Sequence, residues 1–132
     1  MRALPQTFEK MTKFKDVFEK GKKYKTYTSH VIVLLEEVPS EVNEKILLGV
    51  LALKKIVGKK AVHRNTAKRR YKSALREALK TITVNPSFHI KIVALTNKNT
   101  LSCPWNDLLT DVARQIEWIN REIDTKKASL HD

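Results

Sequence analysis

Apolar residues recur at steps of three and four between Thr7 and Lys20, at Phe8, Met11, Phe14 and Phe18 with Val17 alongside, and this spacing predicts a helix with one aromatic face. Thr7 can cap its start and Gly21 ends the pattern. Past the basic turn Lys22-Lys23, the β-branched and aromatic run TYTSHVIVLLEEV (26–38) predicts a strand, and the polar, acidic PSEVNEK (39–45) breaks it. ILLGVLALKK then resumes with a second strand, whose near-continuous apolar run from Ile46 to Leu53 predicts cover on both faces. KKIVGKKAVHRNT is too basic and too glycine-interrupted to extend that strand, and it leads into AKRRYKSALREALK, a long helix starting near Arg64 and ending near Thr81. FHIKIVALT predicts a strand over 88–96 and NKNTLSCP a loop. Trp105, Leu108, Leu109, Val112, Ile116 and Ile119 keep a helical period to about Ile123, with the tail KKASLHD expected to fray.

At 132 residues the chain suits one domain spanning 1–132, with an ordered core over about 7–123. A 42% hydrophobic and 30% charged composition with three Gly and four Pro is that of a folded chain and excludes a disordered or fibrous one. The N-terminal stretch has no secretory apolar run and Val31 to Leu35 is the longest uninterrupted apolar stretch, so the expectation is a cytoplasmic protein with no membrane partner. One cysteine, Cys103, allows no internal disulfide, and His30, His63, His89 and His131 have no zinc-ligand spacing.

Charge changes the picture most. Lys and Arg number 26 against 14 Asp and Glu, a formal net charge of +12 that repels itself unless a polyanion neutralises it. Between Lys54 and Lys80 stand 11 cations (Lys54, Lys55, Lys59, Lys60, Arg64, Lys68, Arg69, Arg70, Lys72, Arg76 and Lys80) and one acid, Glu77. On a helix, Asn65, Arg69, Lys72, Arg76 and Lys80 fall within an arc of about 80° and a length of about 22 Å. Ala67, Tyr71, Ala74, Leu75 and Ala78 fill the opposite arc and can bury against a sheet. A merely solvated face mixes signs for i to i+4 pairing, and this one does not, so it reads as a nucleic-acid surface, for RNA rather than DNA in the absence of a zinc finger or basic zipper.

Catalytic chemistry is not visible: there is no phosphate-binding glycine loop of P-loop spacing, no HExxH and no serine elbow. Glu36-Glu37, next to a polar loop, reads as solvated, and His63 beside Arg64 can touch a phosphate but supports no reaction alone. Cys103 has no identifiable base near it in sequence, and Trp105 and Trp118 read as core or rim of the last helix.

Lys54-Lys55, Gly58, Ala61-Val62, Arg64-Asn65, Lys68-Arg69 and Arg76-Glu77, together with the upstream Phe14, Val17, Phe18 and Gly21, form a pattern over about residues 8–120. In it the chain resembles the protein component of bacterial ribonuclease P, the ribonucleoprotein that removes the 5′ leader from precursor tRNA. Thr66 stands where the family has Arg, the glycine loop is longer by one or two residues, and Ser73-Ala74-Leu75 departs from the usual mid-helix. The resemblance implies an α/β (α+β) two-layer sandwich of about four strands and three helices, like the second domain of ribosomal protein S5. Its βαβ crossover would be left-handed, against the usual rule, with the first and third helices on one side of the sheet.

It also implies a non-catalytic subunit of an endonuclease (a hydrolase) of tRNA processing, in which the RNA catalyses with bound Mg. The partners would be ribonuclease P RNA and precursor tRNA, with the protein monomeric in the ribonucleoprotein and no DNA bound. Lys54, Lys55, Lys59, Lys60, Arg64, Asn65, Lys68, Arg69, Lys72 and Arg76 would bind RNA. A cleft between the first helix and the sheet would hold the leader, with Phe14 and Phe18, then Tyr24, Tyr27 and Lys54, as its residues. Against this, both phenylalanines could simply pack in the core. No catalytic residue is assigned and any metal position is open. A structural RNA-binding protein of ribosomal type would share the charge stripe without the cleft, and a protein-only nuclease would need clustered carboxylates, to which Asp107 and Asp111 come nearest.

Overall fold

The computed structural model describes residues 8–38, 45–84 and 87–130. Its sheet has five strands in the order β1-β4-β5-β3-β2, where β1 is Glu9–Lys10, β2 Lys22–Lys25, β3 Ser29–Glu36, β4 Ile46–Leu51 and β5 His89–Thr96. β1, β4 and β5 run parallel to one another, and β3 and β2 complete the sheet antiparallel. The helices are α1 Lys15–Lys20, α2 Lys54–Val57, α3 Ala61–Ala78, α4 Lys98–Ser102 and α5 Trp105–Leu130.

Alternation in the strands sends side chains to two cores. Val31, Val33, Ile46, Val50, Ile90, Ile92 and Ala94 meet the buried faces of α3 and α5, including Tyr71, Ala74, Leu108, Val112, Ile116 and Ile123. Ile32 and Val93 point the other way and meet Met11 and Val17, with Phe14, Leu34, Leu47, Leu51 and Leu95 around them. The contiguous VIVLL and ILLGVL runs thus have cover on both faces, as expected for the second strand and equally true of the first.

Several expectations need correction. The helix expected over 7–20 is confined to Lys15–Lys20, because Glu9 and Lys10 pair in parallel with Leu47 and Leu48 and the Met11 N–H donates to the Leu48 carbonyl. The three-and-four spacing is satisfied by two cores instead of one helix face: Phe8 packs on the α5 side, Met11 and Val17 on the other. Thr7 lies outside the described residues, as do residues 39–44 of the expected loop. Lys22-Lys23 is strand rather than turn, the turn falls at 26–28, and a strand that was not expected, β2, precedes the expected one and pairs with it as a hairpin. These two additions make five strands where about four were expected. α3 begins three residues early and ends three early, and α1 lies on the opposite face from α5 rather than beside it. The expected loop 97–104 contains α4, nucleated by a capping box in which the Asn97 side chain accepts from Asn99 and Thr100 while Thr100 Oγ1 accepts from the Asn97 N–H. α5 runs to Leu130, well past Ile123, and Lys126 Nζ donates to the Leu35 carbonyl at 2.9 Å and stands 5.5 Å from the Phe88 ring.

Gly21 joins α1 to β2 where a β-carbon would stand 2.5 Å from the Val17 carbonyl oxygen and 2.6 Å from Ile32 Cγ2. Backbone on one side and core on the other cannot both retreat. Gly21→Ala is expected to destabilise the fold by about 1–3 kcal/mol, read as a lower denaturant midpoint at unchanged slope; an unchanged midpoint would show that the α1 to β2 junction is loose.

Candidate nucleic-acid interface

α3 divides lengthwise as its spacing demands. Ala67, Tyr71, Ala74, Leu75 and Ala78 are buried, and Asn65, Arg69, Lys72 and Arg76 are exposed. Lys80, the last member of the expected stripe, is exposed but lies in the turn beyond the helix, paired with Glu77 at 2.9 Å. The helical stripe therefore runs from Asn65 to Arg76, about 16 Å at 1.5 Å per residue. Among the described residues the Lys80–Glu77 pair is the only salt bridge made by residues 54–80, which leaves Arg69, Lys72 and Arg76 without a neutralising acid there. Lys54 and Lys55 on α2 and Lys59 in the following loop are exposed and line an open recess of about 380 Å³, and Lys60, also exposed, leads into α3.

The cations are not equivalent. Arg64 is half-buried and its Nη1 donates to the carbonyls of Gly58 and Lys59, at 3.1 and 2.6 Å, so it clamps the glycine loop while its other donors stay available. Gly58 has a φ of 133°, a backbone region that side chains other than glycine rarely enter. Lys68 is half-buried. Thr66 sits within α3 rather than at its start, donating to the Val62 carbonyl at 2.8 Å and accepting from Arg69 Nη2 at 3.5 Å. Arg70 turns inward: Nη1 donates to the carbonyls of Thr100 and Leu101 and Nη2 to that of Cys103, each at 2.7 Å. It thus bolts α3 to the C-terminal end of α4. The signal was available, since Arg70 falls about 140° round from Asn65, at the border of the buried arc.

The four aromatic residues expected in one cleft are not together. Phe14 is half-buried over Gly49, where a β-carbon would meet its ring at 2.3 Å, and Phe18 is 38% exposed on α1. Tyr24 is cross-strand partner to Val31, on the opposite sheet face from α1, and stacks on Trp118 with ring centroids 5.0 Å apart. That packing removes it from any α1 cleft and places Trp118 in the core, while Trp105 is 40% exposed. Tyr27 occupies the β2–β3 turn, at the end of the sheet where β4 and β5 also finish. On the α1 face the last row of partners toward that end is Lys25, His30, Leu95 and Leu51. Partial burial, then the nearby Lys23 and Lys25, hold the His30 pKa below its ordinary 6.5.

Asp111 is buried and committed: its Oδ2 accepts from Thr26 Oγ1 at 2.6 Å, Thr28 Oγ1 at 2.5 Å and the Thr28 N–H at 3.1 Å. Gln115 Nε2 donates to Thr26 Oγ1 and Ser29 Oγ, and its Oε1 accepts from the Tyr71 hydroxyl, whose pKa burial and then Asp111 push up. Among the described residues no group of three or more His, Cys, Asp or Glu could hold a metal ion. Asp107, exposed at the start of α5, has no such companions. Burial pushes the Cys103 thiol up, so this buried cysteine is a packing residue. Among the described residues no helix is long and apolar enough to cross a membrane.

The model of the family Ribonuclease P matches residues 5–120. The chain belongs to the ribonuclease P protein family. Its fold is similar to that of the RNase P protein of Staphylococcus aureus, with 16% identity and a TM-score of 0.58 over 82% of this chain and 92% of that one. The RNase P protein of Thermotoga maritima is comparable, with 18% identity and a TM-score of 0.58 over 82% and 89%. Comparison with curated protein sequences gives no match. The mixed α/β fold expected for a ribonuclease P protein is thus present, with its basic helix on the outside.

Arg70→Ala is expected to cost about 2–3 kcal/mol, since it strands three carbonyls, whereas Arg69→Ala should stay within about 0.5 kcal/mol; equal denaturation midpoints would refute the division. For His30 the folded pKa lies below the unfolded one, so the unfolded chain takes up the proton first and stability falls as pH drops through 6.5 toward the folded value. Between about pH 7.5 and 5 the wild type should lose more stability than His30→Gln, and parallel curves would contradict this.

Proposed function

We propose that the chain is the protein subunit of a ribonuclease P whose RNA carries out the cleavage, acting in the cytoplasm on precursor tRNA. The observation that carries this reading is the α3 stripe, in which three cations without acidic partners among the described residues stand back to back with a face of alanines and Tyr71 buried against α5 and the sheet. Phosphates supply the missing negative charge: arginines fork onto phosphate oxygens, lysines act as point charges and Asn65 hydrogen-bonds backbone or base. Lys54, Lys55, Lys59 and Lys60 extend the same surface, and Lys68 lies beside it.

The 5′ leader lies along α1. Phe18, exposed, is the ring that stacks on an unpaired base, and Phe14 the ring that packs on Gly49 and holds α1 in place. Magnesium supplies the activation of water for hydrolysis when bound. On this reading the RNA subunit holds it, and this chain contributes binding and orientation.

The test is cleavage of a 5′-extended precursor tRNA at low magnesium by a bacterial ribonuclease P RNA, with and without the protein. Restored cleavage at the mature 5′ end is the expected result; RNA binding without rescue would make the chain a structural RNA-binding protein instead. Arg69→Ala and Arg76→Ala should each weaken RNA binding and reduce the slope of log affinity against log salt by about 0.7–0.9, and unchanged slopes would remove those residues from the interface.

A further inference from the structure

A single exposed aromatic side chain ordinarily means little, but the backbone that carries Tyr27 is built to hold it out. Thr26 and Thr28, on either side, send both hydroxyls to one oxygen of the buried Asp111, and the Thr28 N–H goes to the same oxygen. The Tyr27 carbonyl accepts from the side-chain amides of Asn97 and Asn99, at 3.2 and 3.0 Å, and the Thr28 carbonyl accepts from Thr100 Oγ1. Thr28 and Ser29 are fully buried, while Tyr27 between its tethered neighbours is 62% exposed and its phenol has no hydrogen-bond partner among the described residues. Both threonine hydroxyls and the Tyr27 and Thr28 carbonyls are tied inward, and the ring is left outside.

The surroundings are cationic. Lys25 is exposed in the last row of the α1 face beside His30, Lys98 is exposed at the start of α4, and Lys54 and Lys55 follow closely after β4 ends at the same edge. An aromatic face among cations is the pattern that binds unpaired nucleotides, with the ring taking a base and the cations the flanking phosphates. Prior fixation of the backbone lowers the entropy lost on binding, and tyrosine has only two side-chain torsions left to settle.

We propose that Tyr27 is a preset stacking platform for an unpaired RNA base, separate from the α3 stripe and from the α1 phenylalanines. This rests on the RNA-binding reading above. The base belongs either to the catalytic RNA or to the 5′ leader, and two arms of one experiment separate them.

The full chain is combined with a bacterial ribonuclease P RNA. The first arm measures affinity of the protein for that RNA; the second measures affinity of the holoenzyme for precursor tRNA with a leader and for mature tRNA without one. Tyr27→Ala should weaken binding about 5- to 150-fold in one arm, and Tyr27→Phe should stay within about twofold because the ring is kept. The melting temperature of both variants should stay close to the wild type, as the side chain is mostly exposed. Loss in the first arm assigns the base to the catalytic RNA, and loss in the second with leader-bearing substrate alone assigns it to the leader. Wild-type affinity of Tyr27→Ala in both arms would overturn the platform, as would an equal loss in Tyr27→Phe, which would make the hydroxyl the contact. If the wild-type chain itself fails to bind the RNA, the function proposed above falls first.

Discussion

A carboxylate taken out of water must find donors, and Asp111 finds three within three residues of chain, at Thr26 and Thr28. That requirement joins the middle of α5 to the tip of the β2–β3 hairpin. Gln115, one turn further along α5, carries the connection to Ser29 and, through its amide oxygen, to Tyr71 on α3. Sheet, α5 and the basic helix thus share one fully satisfied polar network, and among the described residues no buried side-chain polar atom lacks a partner. Removing the charge from this network would leave several donors unpaired at once, so it holds the three elements in one relative placement more strictly than apolar packing alone could.

The basic helix shows how one residue type serves two ends. Alanines at positions 67, 74 and 78 let α3 approach closely on its buried side, and the long cations are left no room there. Arg69 and Arg76 project to solvent, while Arg70, one step round the helix, satisfies three carbonyls at the end of α4. Arg64 stands between these roles, half-buried and clamping the loop around Gly58. A repelling row of charges costs stability in isolation. Here it is carried by a helix fastened on its other side by Tyr71, by Arg70 and by the core, so the repulsion is tolerated.

Where local pattern and tertiary contact agreed, the chain was legible. The two sides of α3, the strand at 89–96, the apolar stripe of α5 and the double cover of β4 all follow from period and composition. Where local pattern was ambiguous, tertiary pairing decided. Residues 8–20 carry helical spacing, yet an unpaired edge of β4 recruits Glu9 and Lys10 as a strand and two separate cores share the apolar residues between them. Thr26-Tyr27-Thr28 has the composition of a strand, yet Asp111, more than 80 positions away, bends it into a turn. Asn97 to Thr100 is a case of local signal passed over: its capping box was present in the residues, hidden by a composition typical of loops.

The site divides the same way. By itself the sequence determined the cationic surface on which the proposed class of partner rests, because a surplus of cations at helical spacing with one acid among them needs no distant contact to be recognised. It also determined which face of α3 is buried, since that depends only on the turn of a helix. Only the tertiary structure decided which cations are free and which are structural, because that depends on carbonyls brought in from α4 and the glycine loop. It alone sent Tyr24 to the core and Tyr27 to solvent, since the first faces Trp118 across the sheet and the second is held out by donors converging on a buried carboxylate. Helix period is a local property of the chain, whereas the pairing of a buried charge is satisfied only by whatever the fold places within hydrogen-bond reach.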